Sequence, residues 1–144
     1  MSASAAEFRP NTRRQSKSPE GRNQDVNKVT KNWYEAKDLC DKDGAHLLVL
    51  ESRDQANDVN YWVEVLGTIS NWFWIGFNDL NQEAQYVTVF NQSVSDVYLK
   101  WWSGYPTGRA DYDCGAAYFT SGEQHGMADL YCFSAYYYIC QIKV

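Results

Sequence analysis

Apolar positions recur along this chain first as two helical stripes and then as short strand-like runs. Trp33, Ala36 and Cys40 stand at i, i+3 and i+7, one face of a helix. Asn32 precedes that stripe and Glu35 follows three residues later, a pairing in which each side chain satisfies an orphan N–H at a helix start. The spacing predicts a helix from Trp33, with Gly44 free to turn left-handed beyond its last turn. Ala45 to Leu50 then reads as a short apolar strand. Ser52 and Gln55 repeat the start signal, Ala56, Val59, Val63 and Leu66 form a second stripe, and Gly67 closes a second helix. Trp74-Ile75-Gly76-Phe77-Asn78-Asp79 reads as a buried strand whose glycine marks the close approach of another backbone, followed by turn chemistry. Tyr136 to Ile142 is a terminal strand. Two helices ahead of almost all the strands predict an α+β domain.

Composition divides the chain at about residue 27. Residues 1–27 hold Arg9, Arg13, Arg14, Lys17 and Arg22 against Glu7, Glu20 and Asp25, with hardly any large apolar side chain. Such a segment cannot offset its ordering entropy and reads as a disordered basic tail or a remnant of cloning. The remainder, 28–144, is acidic within a chain of net charge −5, which argues against nucleic-acid binding. No apolar run approaches the roughly 20 residues of a transmembrane helix, and Met1 to Ala6 lacks the apolar core of a signal peptide.

Cys40, Cys114, Cys132 and Cys140 lack the short paired spacing of a zinc site, so disulfides and an oxidising, extracellular compartment are expected; four cysteines leave three connectivities open. Secretion would then require a leader that Met1 to Ala6 does not supply.

Five motifs in order resemble the C-type lectin-like domain: Trp33-Tyr34-Glu35-Ala36 leading to Cys40, Gly44-Ala45-His46-Leu47, Trp74-Ile75-Gly76, Asp113-Cys114, and Ile139-Cys140. The resemblance spans about residues 30 to 143 and implies the short, four-cysteine form. It implies two helices flanking small antiparallel sheets, a long loop region, and Cys40–Cys140 and Cys114–Cys132 bridges. The family's aromatic-rich first strand has no counterpart in Gln24 to Lys31, where only Val26 and Val29 are apolar. A missing or frayed first strand would leave the terminal strand with an open edge, which predicts a homo- or heterodimer or poor solubility.

Where the family places ligands to its sugar-binding calcium, this chain has Tyr105 and Thr107 around Pro106, Tyr112 before Asp113, and Ala128-Asp129. Only Asp129 keeps a strong oxygen donor among these positions. Calcium takes six to eight oxygens, so the usual sugar site is degenerate. The family's neighbouring calcium site fares better: Asp79, Glu83 and Asp113 match, while Gly108 stands at its fourth acidic position and Asp111 lies nearby in sequence. Three carboxylates with carbonyls and water would hold calcium weakly, at about 10⁻⁴ to 10⁻³ M. The competing assignment makes Asp79 a turn cap, Asp113 a local partner and Glu83 a solvated charge. No cofactor is expected to be required, and one weakly bound Ca²⁺ is the single one this acidic set allows.

Aromatic side chains stand where chelators are missing. Tyr105, Thr107, Tyr112, Asp129 and Tyr131 form the expected ligand-binding set, since tyrosine offers rigid contact area and a hydroxyl for orientation. His46 reads as a strand residue and His125 as a residue of a glycine-flanked loop, with no nucleophile motif beside either, so no catalytic residue and no enzyme is expected. Asn91-Gln92-Ser93 is a glycosylation sequon. The expected function is a non-enzymatic extracellular module that binds a protein or other ligand through the aromatic long-loop surface. The alternative is a secreted lectin for microbial or other glycans, using stacking or the partial calcium site.

Overall fold

A computed structural model describes residues 8–10, 29–98 and 100–142 of the 144-residue chain. Along the chain run β1 (Phe8–Pro10), α1 (Trp33–Lys42), β2 (Ala45–Leu47), α2 (Arg53–Val65), β3 (Trp72–Asn78), β4 (Val87–Thr88), a 3₁₀ turn (Val94–Asp96), β5 (Cys114–Phe119), a 3₁₀ turn (Ser121–Glu123), β6 (His125–Leu130) and β7 (Tyr137–Ile142). The domain is α+β, as expected.

Both helix starts form as the sequence specifies. Glu35 N–H donates to Asn32 Oδ1 (2.9 Å), and Asn32 N–H donates back to Glu35 Oε1 (3.1 Å), a complete capping box. Ser52 accepts from Gln55 N–H (3.1 Å), but the return bond goes one residue further out, from Glu51 N–H to Gln55 Oε1 (2.7 Å). Gly44 and Gly67 take the left-handed conformation after α1 and α2.

The sheet runs β1-β7-β3-β5-β6, with β2 also on β7 and β4 on β3. Its pairing is mixed: β3 and β7 run parallel, Phe73 beside Tyr137 and Trp74 beside Tyr138, where antiparallel sheets were expected. Both faces of β3 are covered, so the strand reads as a continuous apolar run. Phe73, Ile75 and Phe77 face a core with Val59 and Val63 of α2, Phe119 and Ile139. Trp74 faces a second core with Trp33, Ala36, Leu47, Ala116 and Tyr138. Gly76 sits where a Cβ would lie 2.6 Å from the Leu47 carbonyl oxygen, and its own N–H donates to Leu48 O (2.7 Å). Leu48 to Leu50 are buried but lie beyond β2, which is shorter than the strand expected.

Cys40 is bonded to Cys140 and Cys114 to Cys132. The first bridge spans a sequence separation of 100 residues. In the chain-entropy account a loop of that size stabilises by about 4.7 kcal/mol. Phe8–Pro10 pairs antiparallel with Gln141, Cys140 and Ile139. Those three residues fall within the segment expected to be a tail, and they lie along the edge of β7 expected to be open. The rest of the proposed tail lies outside the described residues. Among the described residues no helix is long and apolar enough to cross a membrane.

Candidate functional site

The long connection from β3 to β5 carries most of the candidate residues, and Asp79 begins it. The Asn78 side chain accepts from Leu80 N–H (3.0 Å), turning the chain out of β3, while Asp79 N–H donates to Asp113 O (2.9 Å) and ties the loop's two ends together. Asp79 is 2 % exposed, and its Oδ2 accepts from Ala84 N–H (2.8 Å) at a residue held at φ +67°. This bond makes Asp79 a turn cap, but only half of its carboxylate is used. Asp79, Glu83 and Asp113 bring ligand oxygens within 4.8 Å of one another. Asp79 Oδ1 and Asp113 Oδ1 are buried without a hydrogen-bond partner. Burial pushes Asp79 up from 3.8 to about 7, the Asp113 and Glu83 carboxyls push the same way, and the Ala84 N–H opposes them.

Two orphaned carboxylate oxygens facing one cluster require a shared proton or a cation. The donor set, three hard carboxylates, suits calcium, and its small number fits weak binding. Asp111, considered as a substitute ligand, lies outside the cluster and pairs instead with Arg109 (3.4 Å).

Asp129, on β6, is fully buried. Its Oδ1 accepts from Thr107 N–H (2.7 Å), and its Oδ2 accepts from the Thr107 hydroxyl (2.8 Å) and the Tyr86 hydroxyl (3.4 Å). Thr107 follows the cis Tyr105–Pro106 peptide, and its Oγ1 also accepts from Arg109 N–H (3.1 Å). Burial and the Asp129 charge raise the Tyr86 hydroxyl well above its usual range, so it stays a proton donor. A carboxylate expected on the ligand-binding face therefore lies inside, its oxygens taken by three donors. Nothing in the sequence around Tyr86 marked it as a partner of a residue 43 positions away.

The tyrosines of the expected set occupy different surroundings. Tyr105 is half-buried with its ring edge on Trp72 (5.7 Å between centroids), and burial, then Asp129, raises its hydroxyl above the usual range. Tyr112 lies under the Arg109 guanidinium at 4.6 Å. Tyr131 is 45 % exposed and belongs to an outward cluster with Phe133 and, through it, Tyr34.

Both histidines are buried. His46 is buried on β2, its Nδ1 2.7 Å from Leu47 O. His125, expected in a loop, opens β6 instead and is buried, with Nε2 2.9 Å from the Tyr98 hydroxyl. Asn91 stands exposed at the tip of a tight turn at φ +62°, where its N–H donates to Thr88 O (2.8 Å).

Two helices, a mixed sheet, two bridges and a long loop folded back on the sheet define a binding module of the C-type lectin-like class. The family model for the lectin C-type domain matches residues 29–142, and the chain belongs to that family, whose members are non-enzymatic binding modules. It is similar to C-type lectin 37Db of Drosophila melanogaster, 30% identical over 112 residues that cover 78% of this chain and 71% of the relative. It is also similar to the hepatic lectin of Gallus gallus, 32% identical over 110 residues, 76% of this chain and 49% of the relative, so the chain spans about half that protein's length. Human lithostathine shares the fold with a TM-score of 0.70 and 21% identity, covering 82% of this chain and 88% of that one.

Proposed function

We propose that this chain is an extracellular recognition module whose long-loop face binds its ligand with no metal ion at Asp129. The observation that carries this reading is the engagement of both Asp129 oxygens by Thr107 and Tyr86, so that a cation would have to compete with three donors for a buried carboxylate. A divalent ion there would have to strip three hydrogen bonds from a buried group and find five or more further oxygens. Tyr105 and Tyr112, both half-buried, supply contact area on the same loop for a protein or other non-sugar ligand. The disulfides suit an oxidising compartment, and the exposed Asn91 would carry a glycan on a secretory route.

Asp79, Glu83 and Asp113 would hold one calcium weakly, and that ion would neutralise the buried carboxylates and fix the two ends of the loop. The same orphaned oxygens favour a second reading, a lectin whose glycan recognition depends on that ion. Calcium calorimetry, then a glycan array with and without chelator, separates the two readings. Weak calcium uptake with no chelator-sensitive glycan signal is expected. Chelator-sensitive glycan binding would overturn the proposal.

A further inference from the structure

A groove of about 410 Å³ opens at the start of β3, at the opposite end of that strand from the acidic cluster and about 20 Å from it by strand rise. Its floor is aromatic. Trp72 pairs across the sheet with Tyr118, their ring centroids 4.8 Å apart and tilted by 55°, and by the β3–β7 register Trp72 lies beside Tyr136. Trp102 extends this row beyond Tyr118 at 5.1 Å, over Gly126, where any Cβ would meet its backbone at 2.7 Å. Trp72, Tyr118 and Tyr136 are half-buried and line the groove, while Trp102 backs Tyr118 from outside it.

The rim is polar and uncharged: Thr30, Ser70 and Asn71, with no charged side chain among the described lining residues. Ser70 is held at φ +67° by its N–H bond to Phe119 O (2.8 Å), an unfavourable conformation for a residue with a side chain. The Asn71 amide nitrogen donates to Thr68 O (3.0 Å) and Ile69 O (3.2 Å). Both amide protons are thus committed to backbone, and the group Asn71 can offer a ligand is its acceptor oxygen.

We propose that this groove is a second binding site, taking a neutral oligosaccharide by stacking on Trp72 and Tyr118 while Asn71 Oδ1 and the rim hydroxyls bond its hydroxyl groups. A pyranose ring presents apolar C–H faces and donating hydroxyls at its edge, which matches an aromatic floor beneath an acceptor rim. A proline-rich peptide would also stack on such a floor, but it brings carbonyl acceptors and few N–H donors, so the Asn71 oxygen would go unmet. An extended peptide cannot add to the sheet here, because β3 already has β5 and β7 on its two sides. The site needs no metal and goes beyond the long-loop reading.

The full disulfide-bonded chain in chelator should be titrated with neutral pentasaccharides, β1,4-linked glucose, β1,4-linked N-acetylglucosamine and α1,4-linked glucose, and followed by tryptophan fluorescence and amide NMR. Saturable binding of at least one is expected, with shifts at 70–72, 118 and 136–137. Tyr118→Ala should weaken it at least tenfold, Asn71→Ala severalfold, and Lys42→Ala, at an exposed position of α1, not at all. Asn71 is exposed, so its variant keeps the test decisive if Tyr118→Ala does not fold. The proposal is overturned by absence of binding at millimolar sugar, by shifts confined to 79–113, by unchanged affinity in the Asn71 variant, or by a proline-rich peptide occupying the groove where sugars do not.

Discussion

Asp79→Asn should make the calcium-free protein more stable at pH 8 and leave it nearly unchanged at pH 4. The folded state holds the Asp79 proton up to about pH 7, whereas the unfolded chain releases it near 3.8. A raised carboxyl contributes stability that is fully present below the unfolded value and is lost as pH rises through the folded one. The interval of about 3 pKa units corresponds to about 4 kcal/mol between pH 4 and pH 8, an upper limit for a group whose partners also relax. Asparagine keeps the shape and an oxygen for the Ala84 N–H, and its NH₂ can donate toward Asp113 as a protonated acid would. Other carboxylates shift the whole curve with pH, so the informative quantity is the difference between variant and parent. Denaturant unfolding in chelator at pH 4, 6 and 8, with disulfides intact, measures it. The variant should gain on the parent by on the order of 2–4 kcal/mol as pH rises. Saturating calcium should restore the parent at pH 8 and do less for the variant. Parallel stability curves, or a variant weaker than its parent at pH 8 in chelator, would refute the buried-carboxyl account.

Thr107→Val keeps the backbone N–H on Asp129 but removes the hydroxyl, and should cost on the order of 1–3 kcal/mol in unfolding experiments that calcium does not reverse. Breaking the Cys40–Cys140 bridge by Cys40→Ala should lower stability by about 2–5 kcal/mol, read as a fall in the denaturant midpoint. Removal of residues 1–27 deletes the strand that pairs with Ile139 to Gln141, so sedimentation should show stronger concentration-dependent self-association than that of the full chain. Gly76→Ala should reduce the yield of folded protein sharply, because the added methyl group meets backbone oxygens at 2.6 and 3.0 Å that no side-chain movement can relieve.

Much of this fold was legible because its signals are local. Asn32 and Glu35 are three residues apart and cap their own helix, and the 3.6-residue stripes of α1 and α2 name the faces they bury. Trp74-Ile75-Gly76 announced a strand covered on both sides because only such a strand is apolar at consecutive positions. The cluster of Asp79, Glu83 and Asp113 was named through family resemblance, and the structure brings those carboxylates together. The strand at Phe8–Pro10 gave no usable signal, since three residues ending in a proline carry no periodicity.

By itself, then, the chain determined its helices, its core strand and the family to which it belongs, all of which depend on residue types and short spacings. Tertiary structure alone decided that Asp129 is buried against Thr107 and Tyr86, that Tyr131 parts company with Tyr105, and that Trp72, Tyr118 and Tyr136 line one groove. Those facts rest on strand register and on where a long loop folds back. Both are set by contacts between residues tens of positions apart, whose combined burial no local pattern encodes.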